Sequence, residues 1–460
     1  MQSFKKNIFL VPAMLFFSHP VIAQDKAASA LVFAITNVNV IPMDREVILE
    51  NYTVIVEDGR ITIAAPSEEV ELPQDAVEID GRERYLIPGL TEMHGHIPAK
   101  DRPHYVEDVL FLYIANGVTT VRNMLGNAFH LKVRDSIARG ELTGPKIFAA
   151  GPFFSKDLAP TPEAAEREVR RQKEAGFDLL KMGSIDKGSY ARMAKTANEV
   201  GIPFAGHIPE GVGLLLALEA GQRSIDHYDR YVEYLVPEGV RTENRSAGFF
   251  GSGLIDLIDR DRIPEAVQKT LESGTWNVPT LSLIEHLASP IPAEEMIKRP
   301  EMKYMPEDVL EGWVQFKNTY SKREDFQPGA TRALVELRRE LTKELYNTGA
   351  QIALGSDAPQ FFNVPGFSLH REMEMMVNAG LTPYEVLVTG TRNPAFYFET
   401  PEEFGTIEPG KRADLVLLNA NPLEDISNTQ KIDAVLVNGH YYDRETLDAR
   451  LSEIEQNVKD

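Results

Sequence analysis

The 460-residue chain is 43% hydrophobic and 25% charged, enough apolar material for a large core and a smaller unit beside it, and this composition excludes a disordered polymer. A formal net charge of −21 sets most of the surface against a nucleic-acid backbone or an anionic bilayer, so neither is expected as a partner. With no cysteine the chain has no disulfides and no thiolate ligands, and any metal must be held by histidine, carboxylate or a modified side chain.

Residues 1–23 place Lys5 and Lys6 before an apolar stretch from Ile8 to Phe17 and small residues near Ala23, the order of a secretory signal peptide. Cleavage after Ala23 would give an exported, periplasmic protein with no stable membrane anchor, because the apolar stretch is short for a bilayer and no later window is longer. Residues 30–84 are rich in β-branched residues, roughly alternating, and broken by turn pairs such as Asp58-Gly59, which predicts antiparallel strands.

From 85 to 400 the pattern becomes short apolar runs followed by helical segments. The expected strands are Tyr85 to Met93, Val118 to Asn123, Lys146 to Ala150, Leu179 to Met182, Pro203 to His207, Ser224 to His227, Val278 to Leu283 and Ile352 to Ser356. Strands alternating with helices in this way predict an α/β fold, a (β/α)8 TIM barrel. The long charged connections at 229–275 and 284–350 are expected to be insertions that shape a pocket. Residues 401–460 return to the texture of the N-terminal part, and the two ends are expected to pack together as a small β-sandwich.

The chemistry gathers at the predicted strand ends. His94 and His96 flank Gly95, and on a strand residues two apart point to the same side, so both imidazoles can face one ion. Lys181, His207, His227 and Asp357 each follow an apolar run on the same rim, the face where barrel enzymes keep their sites. Each alone has a structural alternative: a snorkelling lysine, a core histidine, a helix-capping aspartate. Tyr228 and Arg122 are candidate substrate contacts, with burial and an internal carboxylate partner as their alternatives. Phe153 and Phe154 suit an apolar subsite or plain packing. His370 reads as structural, and His104, His130, His286 and His440 fall outside the ligand pattern.

Together, "LIPGLTEMHGHI", "GVTTVRNM", Lys181, His207, His227, "ALGSDAP", the helix from "GFSLHREM" and the closing "GTIEPGKRADLVLLNANPL" resemble the amidohydrolase superfamily. The resemblance is to its imidazolonepropionase-like branch, with prolidases, related dipeptidases and ochratoxin-type amidases. It implies two divalent metal ions, zinc first: His94, His96 and Asp357 on one, His207 and His227 on the other, and Lys181 carbamylated by CO2 between them. It implies cleavage of an amide bond, peptide-like or N-acyl amino acid, in a small molecule by metal-activated hydroxide. Asp357 would serve as the general base and then the general acid. Cyclic amides, lactones, esters or phosphoesters are the alternative substrates of such a site, and a non-catalytic metal or solute binder is the alternative of another class. A homo-oligomer is also implied. Where prolidase-like members carry a glycine- and histidine-containing segment and a Ser-Gly-Gly type segment, this chain has "AAGPFFSKDLAPTP" and "KMGSIDKGSY". Both departures fall in the expected substrate pocket and leave the ligand set intact.

Overall fold

The computed structural model describes residues 31–99 and 102–459, so the expected signal peptide at 1–23 lies outside the described residues. The β-branched N-terminal part forms β1 (Val32–Val40), β2 (Leu49–Glu57), β3 (Arg60–Pro66), β4 (Val77–Asp80) and β5 (Tyr85–Pro88). The turn between β2 and β3 is Asp58-Gly59, both with positive φ, as a tight hairpin needs.

The expected first barrel strand, Tyr85 to Met93, is two strands. Pro88 offers no N–H to continue a ladder, and at Gly89 the backbone instead donates to the carbonyl of Asp414. Thus β5 belongs to the terminal sheet, and β6 (Leu90–Gly95) opens the parallel part.

Three parallel strands follow one another as β6, β7 (Val118–Asn123) and β8 (Lys146–Ala149). Four more form a second parallel sheet: β9 (Leu180–Met182), β10 (Phe204–Gly206), β11 (Ser224–Asp226) and β12 (Trp276–Val278). Single bridges join them, Ala150 to Leu179 on one side and Asn277 to Ile352 on the other. The segment expected as the eighth strand, Ile352 to Ser356, forms no continuous ladder. Its backbone bonds to both neighbours, Ala353 N to Asn277 O and Met93 N to Leu354 O, each at 2.9 Å. The expected strand Val278 to Leu283 also ends early, because Pro279 has no N–H and Thr280 turns left-handed (φ 48°) into the helix Leu281–Ala288.

The C-terminal strands β13 (Leu415–Leu418), β14 (Ile432–Val437) and β15 (His440–Asp443) pair with the N-terminal ones through β13 and β5, with Leu417 opposite Leu86. The order is β15-β14-β13-β5-β1-β2-β3, with β4 beside β1. The strands expected as a sandwich therefore lie in one hydrogen-bonded sheet. Its far edge bonds back to the segment leading into β13, Ile61 N to Lys411 O at 2.9 Å, over a core that includes Phe33, Val54, Val56, Leu415 and Leu417. The chain ends in a helix the β-texture did not suggest, Arg444–Asn457, capped by Asp443 and burying Leu447 and Ile454 on one face.

The insertions are helical as expected, including Glu307–Tyr320, Pro328–Thr348 and a kinked stretch at Phe249–Leu257. Among the described residues no helix is long and apolar enough to cross a membrane.

Candidate metal centre

The side chains singled out at the strand ends converge. His94, at the end of β6, lies with its Nε2 3.1 Å from the Nζ of Lys181 on β9 and 3.7 Å from Asp357 Oδ1. His96 Nε2 bonds Asp357 Oδ1 at 2.7 Å, and His227 Nε2 stands 3.8 Å from Asp357 Oδ2. The His227 ring is 4.6 Å from that of His94 and stacks at 4.8 Å on that of His207. One ligand atom from each of His94, His227 and Asp357 lies within 4.8 Å of the others. All but His96 and His207 are buried.

Backbone geometry makes the approach possible. Gly206, in a positive-φ conformation, passes so close to Lys181 that an added Cβ would sit 2.8 Å from the lysine Cδ. No other residue fits there without moving the lysine.

Behind the centre, carboxylates aim the imidazoles. Asp226 Oδ2 is 2.7 Å from His94 Nδ1, Asp229 Oδ2 is 2.8 Å from His207 Nδ1, and Thr280 Oγ1 is 2.7 Å from His227 Nδ1. In His207 and His227 the outer partner bonds Nδ1 and leaves Nε2 to the centre, the arrangement that orients histidine as a ligand, and Asp226 stands at the same place behind His94. The sequence pattern does not single out these partners, although Asp226 and Asp229 bracket His227 in "SIDHYD".

Arg122 is one layer further back. It is completely buried, and its guanidinium bonds Asp226 at 3.0 and 3.1 Å, Ser224 at 2.9 Å and the Tyr397 hydroxyl at 2.6 Å. It holds an internal carboxylate and has no face toward a substrate. Tyr228, the other candidate substrate contact, is buried with its hydroxyl 2.8 Å from Thr342 Oγ1, and Arg338 lies over its ring. His227, Tyr228 and Arg230 are all left-handed, a conformation costing about 1–3 kcal/mol each outside glycine. Arg338 fixes this turn by donating to the carbonyls of His227 and Pro279.

Burial sets the protonation states. It drives the imidazoles of His94 and His227 well below their ordinary range, helped by Lys181 beside His94 and by His94 beside His227. It also lowers the Lys181 ammonium, against the opposing pull of Asp226 and Asp357. Burial pushes Asp357 upward, but His94, His96 and Lys181 outweigh it and hold the carboxyl below the usual range. Neutral imidazoles, an ionised carboxylate and an amine inclined to be neutral are a nitrogen and oxygen donor set that suits a divalent cation.

A cavity of about 360 Å³ opens beside His207. Its wall holds Phe153, whose ring meets the His207 ring edge-on at 6.3 Å, and Phe249 and Phe250 from the kinked insertion. Phe153 lies over Gly183, where an added Cβ would fall 2.1 Å from the ring. Phe154 is fully buried and points to packing instead. Of the remaining histidines, His370 is buried and bonds Thr429 and the Asn116 carbonyl, and His130 bonds the Ile97 carbonyl and the Asn127 amide.

An α/β chain with such a strand-end cluster is the type of catalyst the sequence resembles, and comparison places it. Residues 85–441 match the Amidohydrolase family, and the chain belongs to that family. It is thereby a hydrolase acting on carbon–nitrogen bonds, in a family that is typically metal-dependent. It is similar to a 5-methylthioadenosine/S-adenosylhomocysteine deaminase of Caldanaerobacter subterraneus, 22% identical over 88% of this chain and 91% of that one. It is likewise similar to the ochratoxinase of Aspergillus niger, 22% identical over 86% of this chain and 82% of that one. The crystal structure of a putative prolidase from Bifidobacterium longum superimposes with a TM-score of 0.69 at 24% identity, covering 92% of this chain and 99% of that one.

Proposed function

We propose that the protein is an exported, binuclear metal-dependent amidohydrolase that cleaves an amide bond, peptide-like or N-acyl amino acid, in a small molecule. The observation that carries this is the grouping of His94, His227 and Asp357, with His96 bonded to Asp357, Lys181 beside His94 and His207 stacked on His227. We read the two parallel sheets and the bridged segment 352–358 as the ring of a (β/α)8 barrel, which puts these residues on its catalytic face.

His94, His96 and Asp357 would hold one cation and His207 and His227 the other, with Lys181, as its CO2 carbamate, shared between them. The lowered Lys181 amine supports the carbamate, since only a neutral amine attacks CO2. Divalent ions held there, zinc first, supply Lewis acidity and an acidified water. The chain's own part is to orient and to move protons. Asp226 and Asp229 keep the Nε2 atoms of His94 and His207 unprotonated and facing inward. Asp357 has Oδ1 bonded to His96, and among the described residues its Oδ2 has no hydrogen-bond partner, so Oδ2 can take the proton of the attacking water and pass it to the leaving amine. The cavity beside His207 is of a size for a small molecule and walled by aromatic rings that exclude water from one side of the scissile bond. Tyr228 and Arg122 enter this proposal as residues that position the ligands.

Export rests on the residue pattern at 1–23. A homo-oligomer, implied by the resemblance, completes the proposal.

The test is metal analysis of purified protein together with product analysis on dipeptides, N-acyl amino acids, lactones and esters. Bound divalent metal with release of free amine from an amide is the expected result. Metal-replete protein that opens only lactones or esters would overturn it.

A further inference from the structure

Away from the strand ends, a cavity of about 300 Å³ lies between the helices Leu281–Ala288, Pro328–Thr348 and Phe367–Asn378. Three arginines line it, Arg299, Arg332 and Arg371, in a chain whose net charge is −21. Two carboxylates, Glu285 and Glu336, line it as well but are paired with Arg339, at 2.6 and 3.3 Å, and a third, Glu301, is held by the cavity's own Arg371 at 2.6 Å. Arg299 and Arg332 have no ion-pair partner among the described residues.

Arg299 is the more telling of the two. Its Nη1 lies 2.8 Å from Nε2 of His286, whose Nδ1 lies 3.1 Å from the carbonyl of Phe361. Nδ1 must carry the proton to donate to that carbonyl, so Nε2 is the bare nitrogen that accepts from Arg299. Burial and the neighbouring Arg299 and Arg371 keep this imidazole neutral, and it brings no negative charge. Arg299 is itself pressed down to about 10, first by burial and then by Arg371. Glu301 pulls the other way but is committed to Arg371, so this half-buried guanidinium, facing a second one and a neutral ring, has no ion-pair partner of its own among the described residues. Beside the arginines the cavity wall turns apolar at Val335 and Met375.

We propose that this cavity is a binding site for a small organic carboxylate, its head held by Arg299 and Arg332 and its apolar body lying on Val335 and Met375. Planar guanidiniums pair with carboxylates through two parallel bonds, and the apolar side selects for an acid with a hydrocarbon portion. His286, in the cavity wall, bonds the carbonyl of Phe361, on the loop that follows Asp357, and so links the site to that loop through one side chain. The site stands independently of the reading of the metal centre.

Calorimetric titration of the full protein with hexanoate tests this, with inorganic phosphate and chloride at matched ionic strength as the other arms. Hexanoate should bind, phosphate at least about tenfold more weakly, and chloride not at all. Arg332→Gln removes an exposed side chain that the fold does not need, and should weaken hexanoate at least about tenfold while thermal unfolding stays unchanged. Arg299→Gln should do the same and is read only if its circular dichroism is native. No hexanoate binding, equal binding of phosphate, or full-strength binding to the Arg332→Gln protein would each overturn the proposal; the last would place the acid elsewhere, such as at the metal centre.

Discussion

The layer behind His94 and the wall beside His207 face the same centre and are built by opposite rules. Behind His94, Asp226, Arg122, Ser224 and Tyr397 are all buried and bonded to one another, and Asp226 stands 2.7 Å from the His94 ring, so this layer is fixed by its own polar contacts. Beside His207 the wall is aromatic, partly open, and taken from a strand-end loop and an insertion whose Phe250 is left-handed. The first region is over-determined and serves the chemistry common to the family. Under the proposed function, the second would carry the choice of substrate. Loop-borne walls on a rigid ring are how one fold serves many substrates.

The contrast can be broken most severely at the centre. Asp357→Asn keeps the shape but removes the proton acceptor, and should lower kcat/KM by roughly 10²–10⁴-fold while circular dichroism stays native. Normal turnover in that variant would remove Asp357 from the proton path. One layer back, Asp226→Asn leaves the fully buried Arg122 without its counter-charge. Chemical denaturation should show a loss of about 3–5 kcal/mol, because a stranded buried charge is expensive. A loss under about 1 kcal/mol, the worth of an exposed pair, would mean that the layer is not rigid.

On the wall the effect should be smaller and of another kind. Phe249→Ala should raise KM about tenfold for substrates with an apolar group and leave kcat nearly unchanged, since it removes contact area and no reacting group. A fall in kcat alone would place Phe249 in the machinery.

The mildest test lies between the two regions, at Glu372. Its carboxylate accepts from the backbone N–H groups of Leu281 and Ser282, and burial raises it to about 7. A carboxyl raised in the folded state favours the native form while protonated. That contribution is whole below the ordinary carboxyl range and is lost as pH climbs through about 7. Wild-type melting temperature should therefore decline over this interval more steeply than that of Glu372→Gln, in parallel thermal scans. Parallel curves would remove Glu372 from the pH response.

The cluster of side chains was legible in the sequence because each member sits just after an apolar run, and a strand end is a position that periodicity can locate. Partners reached through space were not. Asp226 and Asp229 are visible as letters, but nothing in a linear pattern says that they turn toward His94 and His207 on other strands. Strand limits were lost where backbone chemistry overrode an apolar run, at Pro88-Gly89 and at Pro279-Thr280. The last parallel segment, 352–358, reads as a strand yet bonds too sparsely for a ladder. The final helix escaped because its buried stripe rests on little more than Leu447 and Ile454. Arg122 was legible as a strand-end arginine with two readings, and burial decides for the internal carboxylate.

One short turn, residues 226–230, contributes His227 and also Asp226 and Asp229, the rear supports of His94 and His207. Gaining or losing a single residue there would disturb three imidazoles together, whereas a change of length a little further on, in the exposed stretch near residue 240, would alter none of them. Tolerance to insertion and deletion should therefore switch abruptly within this connection. A library of random length variants would grow only on its far side.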